Sequence, residues 1–217
     1  MLINQTALLR LLNPLCWSKL VYAFTILCLC GLVGAAYCFR PFPRSFDTAS
    51  ITANLSPGDV IFVRGQTLRG MAVRMADSGF GYSHVGIVAP AEQGPCIIHA
   101  APAADALLEQ PVEAFLADPK ISAVAVYRFS DTGVAASAAE LAEQFYREKL
   151  PFDDAFRKST PQSLYCTELV WRAYLGSGIN LCLDRFDEVA TLFASEPVIL
   201  PESLLHHSGM HCIFQSN

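Results

Sequence analysis

The chain has 217 residues, of which 16% are charged and 53% hydrophobic, with a formal net charge of −5. So little charge excludes a long disordered chain and a coiled coil. The acidic balance, with no Lys/Arg run, argues against nucleic-acid binding as the activity. The first element is apolar: residues 20–39 read LVYAFTILCLCGLVGAAYCF, twenty residues without a charge. A helix of that length spans about 30 Å, the hydrocarbon thickness of a bilayer. A cleaved signal peptide has a shorter apolar region, about 7–15 residues, closed by a small-x-small site. Here Tyr37 interrupts Ala35-Ala36-Tyr37-Cys38. The segment therefore reads as an uncleaved transmembrane signal anchor behind residues 1–19, followed by a Pro-containing tether over 40–54 and one domain over 55–217. Arg10 and Lys19 before it, against Arg40 and Arg44 after it, lean only slightly toward N-terminus in and domain out.

Within the domain, Leu55-Ser56-Pro57-Gly58-Asp59 predicts a turn and Val60-Ile61-Phe62-Val63 a strand. Leu68, Met71, Ala72 and Met75 recur at helical spacing over 66–77. Two apolar runs, 84–88 and 96–100, flank a turn-rich 90–95 and predict a β-hairpin. A helical turn at 112–116, a strand at 123–129 and an Ala- and Glu-rich helix at 135–149 follow. Pro151-Phe152-Asp153 stops that helix, another spans 163–175 to Gly176, and a loop-rich tail carries a short helix near 187–194. A small antiparallel sheet packed on helices is the expected α+β architecture.

Four of the eight cysteines (Cys16, Cys28, Cys30, Cys38) lie in or near the apolar segment. Cys96, Cys166, Cys182 and Cys212 belong to the domain and form no CxxC pair, so neither a zinc knuckle nor a thioredoxin-type site is supported. A Cys182–Cys212 bridge is an option in an oxidising compartment. His206, His207, His211 and Cys212 cluster in the tail, but adjacent histidines point apart, and a structural role is expected rather than a metal site.

Cys166 falls in the first turn of the 163–175 helix, where backbone N–H groups and the helix dipole favour a thiolate. Cys166, Leu169, Val170 and Ala173 share one helix face, which turns Cys166 inward and Thr167 and Arg172 outward; Glu168 is expected to point outward in a solvated or salt-bridged role, and Trp171 to serve packing. A buried structural cysteine fits the same position. His84 and His99, on adjacent hairpin strands, can present both imidazoles to one face, where they would serve Cys166 as base and orienter.

These residues carry a family likeness. PGDVIF, YSHVGIV, PFD and YCTELVW, in that order, together with the closing PESLLHHSG, resemble the circularly permuted NlpC-type papain-like amidohydrolases of the YiiX/YaeF-like group. That group is related to the lecithin retinol acyltransferase-like enzymes. The resemblance covers roughly 55–210 and implies a permuted papain-like fold in which Cys166 is the nucleophile, His84 its base and His99 the third polar residue. Many members carry a carboxylate at the third position. A second departure is Phe152, where relatives often place an oxyanion-binding tyrosine; Tyr165 and Tyr82 are the alternative donors. Losing one donor costs about 10²–10³ in rate.

The expected activity is a cysteine amidohydrolase that works through a thioester on a peptide or acyl-amide substrate, with no metal or other cofactor. Cell-wall peptides become candidates if the domain is periplasmic, as in a single-pass bacterial inner-membrane protein. The competing expectations are a lipid-directed acyl hydrolase or acyltransferase, and a weakly catalytic binding module using the same groove.

Overall fold

The computed structural model describes residues 46–77, 79–188 and 196–216. The apolar segment 20–39 lies outside them, as does nearly all of the helix expected at 187–194. Among the described residues no helix is long and apolar enough to cross a membrane.

The apolar runs form strands β1 (Val60–Gly65), β2 (His84–Ala89), β3 (Cys96–Ala101) and β5 (Ile121–Phe129). Strands β4 (Ala106–Pro111) and β6 (Met210–Gln215), more polar and not apparent in the sequence, add the two edges. The sheet runs β4-β3-β2-β1-β5-β6, and every neighbouring pair is antiparallel.

Helices cover both faces, which is why the central strands are continuously apolar rather than alternating. On one face Phe62, Val85, Ile87 and Ile98 pack against α4 (Thr132–Arg147) and α5 (Cys166–Gly176). The α4 contribution is small, Ala135, Ala138 and Ala142, so the helix lies close to the sheet. Gly58, at φ +86°, marks the closest approach: a Cβ there would sit 2.2 Å from the Ala135 carbonyl oxygen. On the other face Ile61, Val63, Val88 and Ile97 pack against Phe115 and Leu116 of α3 (Val112–Leu116) and Ile51 of α1 (Thr48–Thr52). Part of the expected tether is thus a helix, capped by Asp47, that buries Ile51 in the core. Helix α2 (Leu68–Ala76), capped by Thr67, lies between β1 and β2 in the chain.

The Asp of the PGD turn has a structural task. Asp59 is 1% exposed and takes two 2.7 Å hydrogen bonds from the Arg128 guanidinium, plus one from the Ser56 N–H. The Cys182–Cys212 bridge that an oxidising compartment would allow is not formed: Cys182 is buried, Cys212 is exposed on edge strand β6, and all four described cysteines are free.

Candidate active site

His84 opens β2 opposite Val63, and His99 lies on β3 opposite Leu108 of β4. Both imidazoles project from the face of the sheet that packs on α1 and α3, with Val63, Ile97 and Phe115, whereas Cys166 packs with the α4/α5 face. His84 Nε2 and His99 Nδ1 are 2.9 Å apart, and the rings meet edge-on. Gly86, on the same face of β2, leaves the room: a Cβ there would lie 2.4 Å from Ile97 Cγ2 and 3.2 Å from His99 Cβ. Phe115 of α3 walls the pair, its centroid 4.9 Å from that of His99.

A fourth residue, absent from the sequence reading, decides which nitrogens carry protons. His99 Nε2 is 3.0 Å from Gln110 Oε1 on β4. An amide oxygen only accepts, so His99 Nε2 carries the proton and its Nδ1 presents a lone pair. That lone pair accepts the His84 Nε2–H, which leaves His84 Nδ1 unprotonated and able to act as a base. The sequence does not mark Gln110, because β4 carries no apolar run.

Cys166 is the first residue of α5. Its sulfur is held against backbone N–H groups of Val85, Thr167 and Cys166 itself, so it lies at the start of β2, beside the residue that follows His84. None of the described hydrogen bonds joins Cys166 to His84, whose Nε2 is taken by His99; catalytic hydrogen bonds often form only with substrate bound.

The charge state differs from the sequence expectation. Burial pushes the Cys166 thiol up to about 11, outweighing the three N–H groups and the Arg69 guanidinium. Burial, and after it His99, push the His84 imidazole down to about 3. Burial also lowers His99, against the pull of Gln110. Both shifts favour a neutral thiol and a neutral imidazole at rest: desolvation opposes the thiolate that the helix terminus favours.

Beside Cys166 opens a cavity of about 350 Å³. Val73 and Ala76 of α2, Phe156, and the segment 198–201 form its walls, and the Arg69–Asp154 ion pair (3.1 Å) stands among its lining residues. The wall at 198–201 is tied to the start of α5 at two points: Thr167 Oγ1 donates to the Ile199 carbonyl (2.6 Å), and the Ile199 N–H donates to the Tyr165 hydroxyl (3.1 Å). Asp153 of the PFD motif accepts the Ala155 and Arg157 N–H groups, folding the loop that carries Asp154 and Phe156. A larger depression of about 640 Å³, over α4 and the end of α5, is lined by neither Cys166 nor a histidine.

The two tyrosines separate. Tyr165 lines the cavity beside Cys166; its hydroxyl accepts from Ile199. Tyr82 does not line it, and its ring packs on Phe62 and Phe80. Phe152 is buried against Phe156 beneath the Arg69 guanidinium.

Three orientations on α5 are corrected. Thr167 is buried through its bond to Ile199. Arg172 donates to the Lys158 and Thr160 carbonyls. Glu168 is 0% exposed, reaching back to the Tyr165 N–H and pairing with Arg172 at 2.7 Å. Loops from elsewhere in the chain cover the face that helical spacing assigned to solvent. Trp171 packs on Phe186 and donates to Asn180.

In the tail, His206 faces the Cys182 carbonyl, His207 accepts from Gly209 and stacks near Phe129, and His211 and Cys212 lie on β6. Among the described residues no group of three or more His, Cys, Asp or Glu side chains is placed to hold a metal ion.

Comparison with known proteins agrees with this geometry. A comparison with curated proteins gives no match. Among solved structures, YiiX from Escherichia coli O157:H7, described as a metalloprotein, aligns with a TM-score of 0.63 and 17% identity, covering 74% of this chain and 97% of that one. At that identity the likeness shows the fold. The profile of the family described as permuted papain-like amidase enzyme, YaeF/YiiX, C92 matches residues 54–214. Over that span, with the YCTELVW helix and the YSHVGIV strand inside it, the chain belongs to this family of papain-like cysteine amidases.

Proposed function

We propose that the protein hydrolyses an amide through a thioester on Cys166, with His84 as base and acid and His99 as the residue that holds His84. What supports this reading is the Cys166 sulfur at a helix N-terminus, against the N–H of Val85, the residue after His84, together with a His84–His99–Gln110 line whose hydrogen bonds leave His84 Nδ1 unprotonated.

As the sulfur attacks the carbonyl carbon, the thiol proton passes to His84 Nδ1 and the carbon–sulfur bond forms. The oxyanion is held by backbone N–H groups at the start of α5, with the Tyr165 hydroxyl as the side-chain donor in place of one at Phe152. The tetrahedral species collapses, the carbon–nitrogen bond breaks, and His84 returns the proton to the leaving amine. Water, deprotonated by His84, then attacks the thioester carbonyl; the carbon–sulfur bond breaks, the acid leaves, and the proton returns from His84 to the sulfur. Because the resting pair is neutral, proton transfer accompanies attack rather than preceding it.

Residues 20–39 would anchor the domain to a membrane, and cell-wall peptides are one substrate class consistent with a periplasmic location. Retention in the pellet after carbonate extraction supports the anchor; release by carbonate alone removes it. For the chemistry, an acyl-enzyme trapped by rapid acid quench should carry its added mass on the peptide containing Cys166. Amide turnover that persists in Cys166→Ala would overturn the reading.

A further inference from the structure

The loop between α4 and α5 holds one side chain in a conformation that its residue type disfavours. Phe156 adopts φ +51°. In that left-handed region the Cβ crowds the following carbonyl oxygen, and a bulky residue stays there only when its surroundings over-determine it. Here the constraint comes from Asp153, which is 5% exposed. One of its carboxylate oxygens accepts the Ala155 N–H at 2.9 Å and the other the Arg157 N–H at 2.7 Å. A single side chain thus grips the backbone on both sides of Phe156, and the Phe156 N–H donates to the Asp153 carbonyl (3.4 Å).

The clamp is joined to the stretch of chain that leads into Cys166. The Asp153 N–H donates to the Leu164 carbonyl (3.2 Å) and the Leu164 N–H to the Pro151 carbonyl (3.1 Å), which lays Phe152 alongside Leu164. What the strained conformation secures is the direction of one ring. The Phe156 centroid lies 5.3 Å from that of Tyr165, with the ring planes at 60°. On its far side Phe156 meets Phe152 edge-on at 6.1 Å. Tyr165 is therefore held from two directions, by Phe156 against its ring and by the Ile199 N–H on its hydroxyl oxygen at 3.1 Å. Because that oxygen already accepts from Ile199, its own hydrogen is left to donate, and the tilt of the ring sets where.

Resting on the cysteine-hydrolase reading above, we propose that Asp153 and Phe156 are positioning residues for the oxyanion. Asp153 locks residue 156 in the left-handed conformation, and the Phe156 ring, so placed, fixes the Tyr165 hydroxyl where the developing oxyanion needs a donor. Neither residue touches the reacting atoms; both act through Tyr165. A donor counts only when it lies within hydrogen-bond distance of the place the oxyanion will occupy. A Tyr165 ring free to tilt loses part of that effect and leaves Cys166 as nucleophilic as before.

The test compares two reactions of Cys166 in the full-length protein. In acylation by p-nitrophenyl acetate the carbon–sulfur bond forms, the carbonyl oxygen passes through an oxyanion, and the carbon–oxygen bond breaks as p-nitrophenolate leaves, the thiol proton going to the base. In alkylation by iodoacetamide the carbon–sulfur bond forms as the carbon–iodine bond breaks, and no oxyanion arises. The ratio of the two rates at Cys166, each read by peptide mass spectrometry, isolates the oxyanion contribution. Tyr165→Phe should lower the ratio by about 10²-fold. Phe156→Ala and Asp153→Asn should each lower it by about tenfold, and in the Tyr165→Phe background neither should cost anything further. Phe156→Gly should lower it as far as Phe156→Ala yet unfold at a higher denaturant concentration, because glycine adopts φ +51° without strain. Equal losses with and without the Tyr165 hydroxyl, or an unchanged ratio in Phe156→Ala, would overturn the positioning role. A glycine variant no more stable than the alanine one removes the strain from it. If Tyr165→Phe leaves the ratio intact while Cys166 is still acylated, the donor lies elsewhere and the proposal falls with the nucleophile standing. Failure of both reagents to modify Cys166 overturns the nucleophile reading itself.

Discussion

Two polar pairs sit at the two ends of β1, and the fold treats them oppositely. Asp59, just before the strand, is buried as an ion: Arg128 grips both its oxygens, and Ser56 supplies a third hydrogen bond. Cys166 and His84, near the far end where His84 faces Val63, are half-buried without a mutual hydrogen bond, and desolvation favours the neutral form of both. Charge survives in an interior only where its partner is already in place. At the Asp59 end the partner is built in; at the Cys166 end the compensating charge arises only when a substrate carbonyl becomes an oxyanion. One pair serves stability and the other reactivity.

Substitutions should divide along that line. The largest effect is expected for Cys166→Ala, which removes the nucleophile and should lower amide turnover by about 10⁴-fold or more while leaving the circular dichroism spectrum intact. Next is Arg128→Met, which strands a buried carboxylate; denaturant unfolding should show a loss of about 3–5 kcal/mol. If Arg128→Met proves neutral, the contrast between the two ends disappears.

Gln110→Leu sharpens the comparison, because it frees His99 to adopt the tautomer that places a proton on His84 Nδ1. kcat should fall about 10²-fold, the lower range of general-base catalysis, with KM little changed. Gln110→Glu, which still accepts from His99 Nε2, should retain most activity. Equal losses in both variants would mean that Gln110 only packs.

The protonation states predict two pH profiles. With the thiol near 11, alkylation of Cys166 by iodoacetamide should rise about tenfold per pH unit from neutrality to pH 10. A plateau that begins in acid would reveal a preformed thiolate–imidazolium pair. The smallest effect concerns stability. Burial raises Glu168 from 4.5 to about 8 and Asp77 from 3.8 to about 7. The folded state thus binds these protons more tightly than the unfolded chain, and their protonation favours folding. That contribution is greatest below about pH 4 and declines as pH rises through 7 and 8, so over that interval they tilt the stability curve downward. Glu168→Gln should flatten the decline in Tm measured from pH 5 to 8.

The sequence made Cys166, His84 and His99 legible because their placement depends on local regularities: the start of a helix and two strands of a hairpin. Gln110 was hidden because ALLEQP, on an edge strand, lacks the apolar run that marks a buried one. Arg69 and segment 198–201 reach Cys166 only through tertiary packing, as do the loops that bury Glu168 and Thr167, and no spacing rule encodes such contacts. The thiolate expectation failed for the same reason: a helix N-terminus is visible in sequence, whereas the depth at which the sulfur is buried is not.

The amide at the end of the His84–His99 line has a further consequence. A carboxylate there could share positive charge with the imidazoles and hold a proton between turnovers. Gln110 can do neither; it fixes direction without offering capacity. A proton lifted from sulfur then has no resting place beyond the two rings, and nothing along the line neutralises it except the oxyanion forming at the same moment. If attack is reversed, the proton returns and the site is as it began; if the leaving amine departs, the proton departs with it. The relay therefore works as a closed loop, and a wrongly bound molecule that cannot develop charge on its carbonyl leaves the enzyme in its inert, uncharged form.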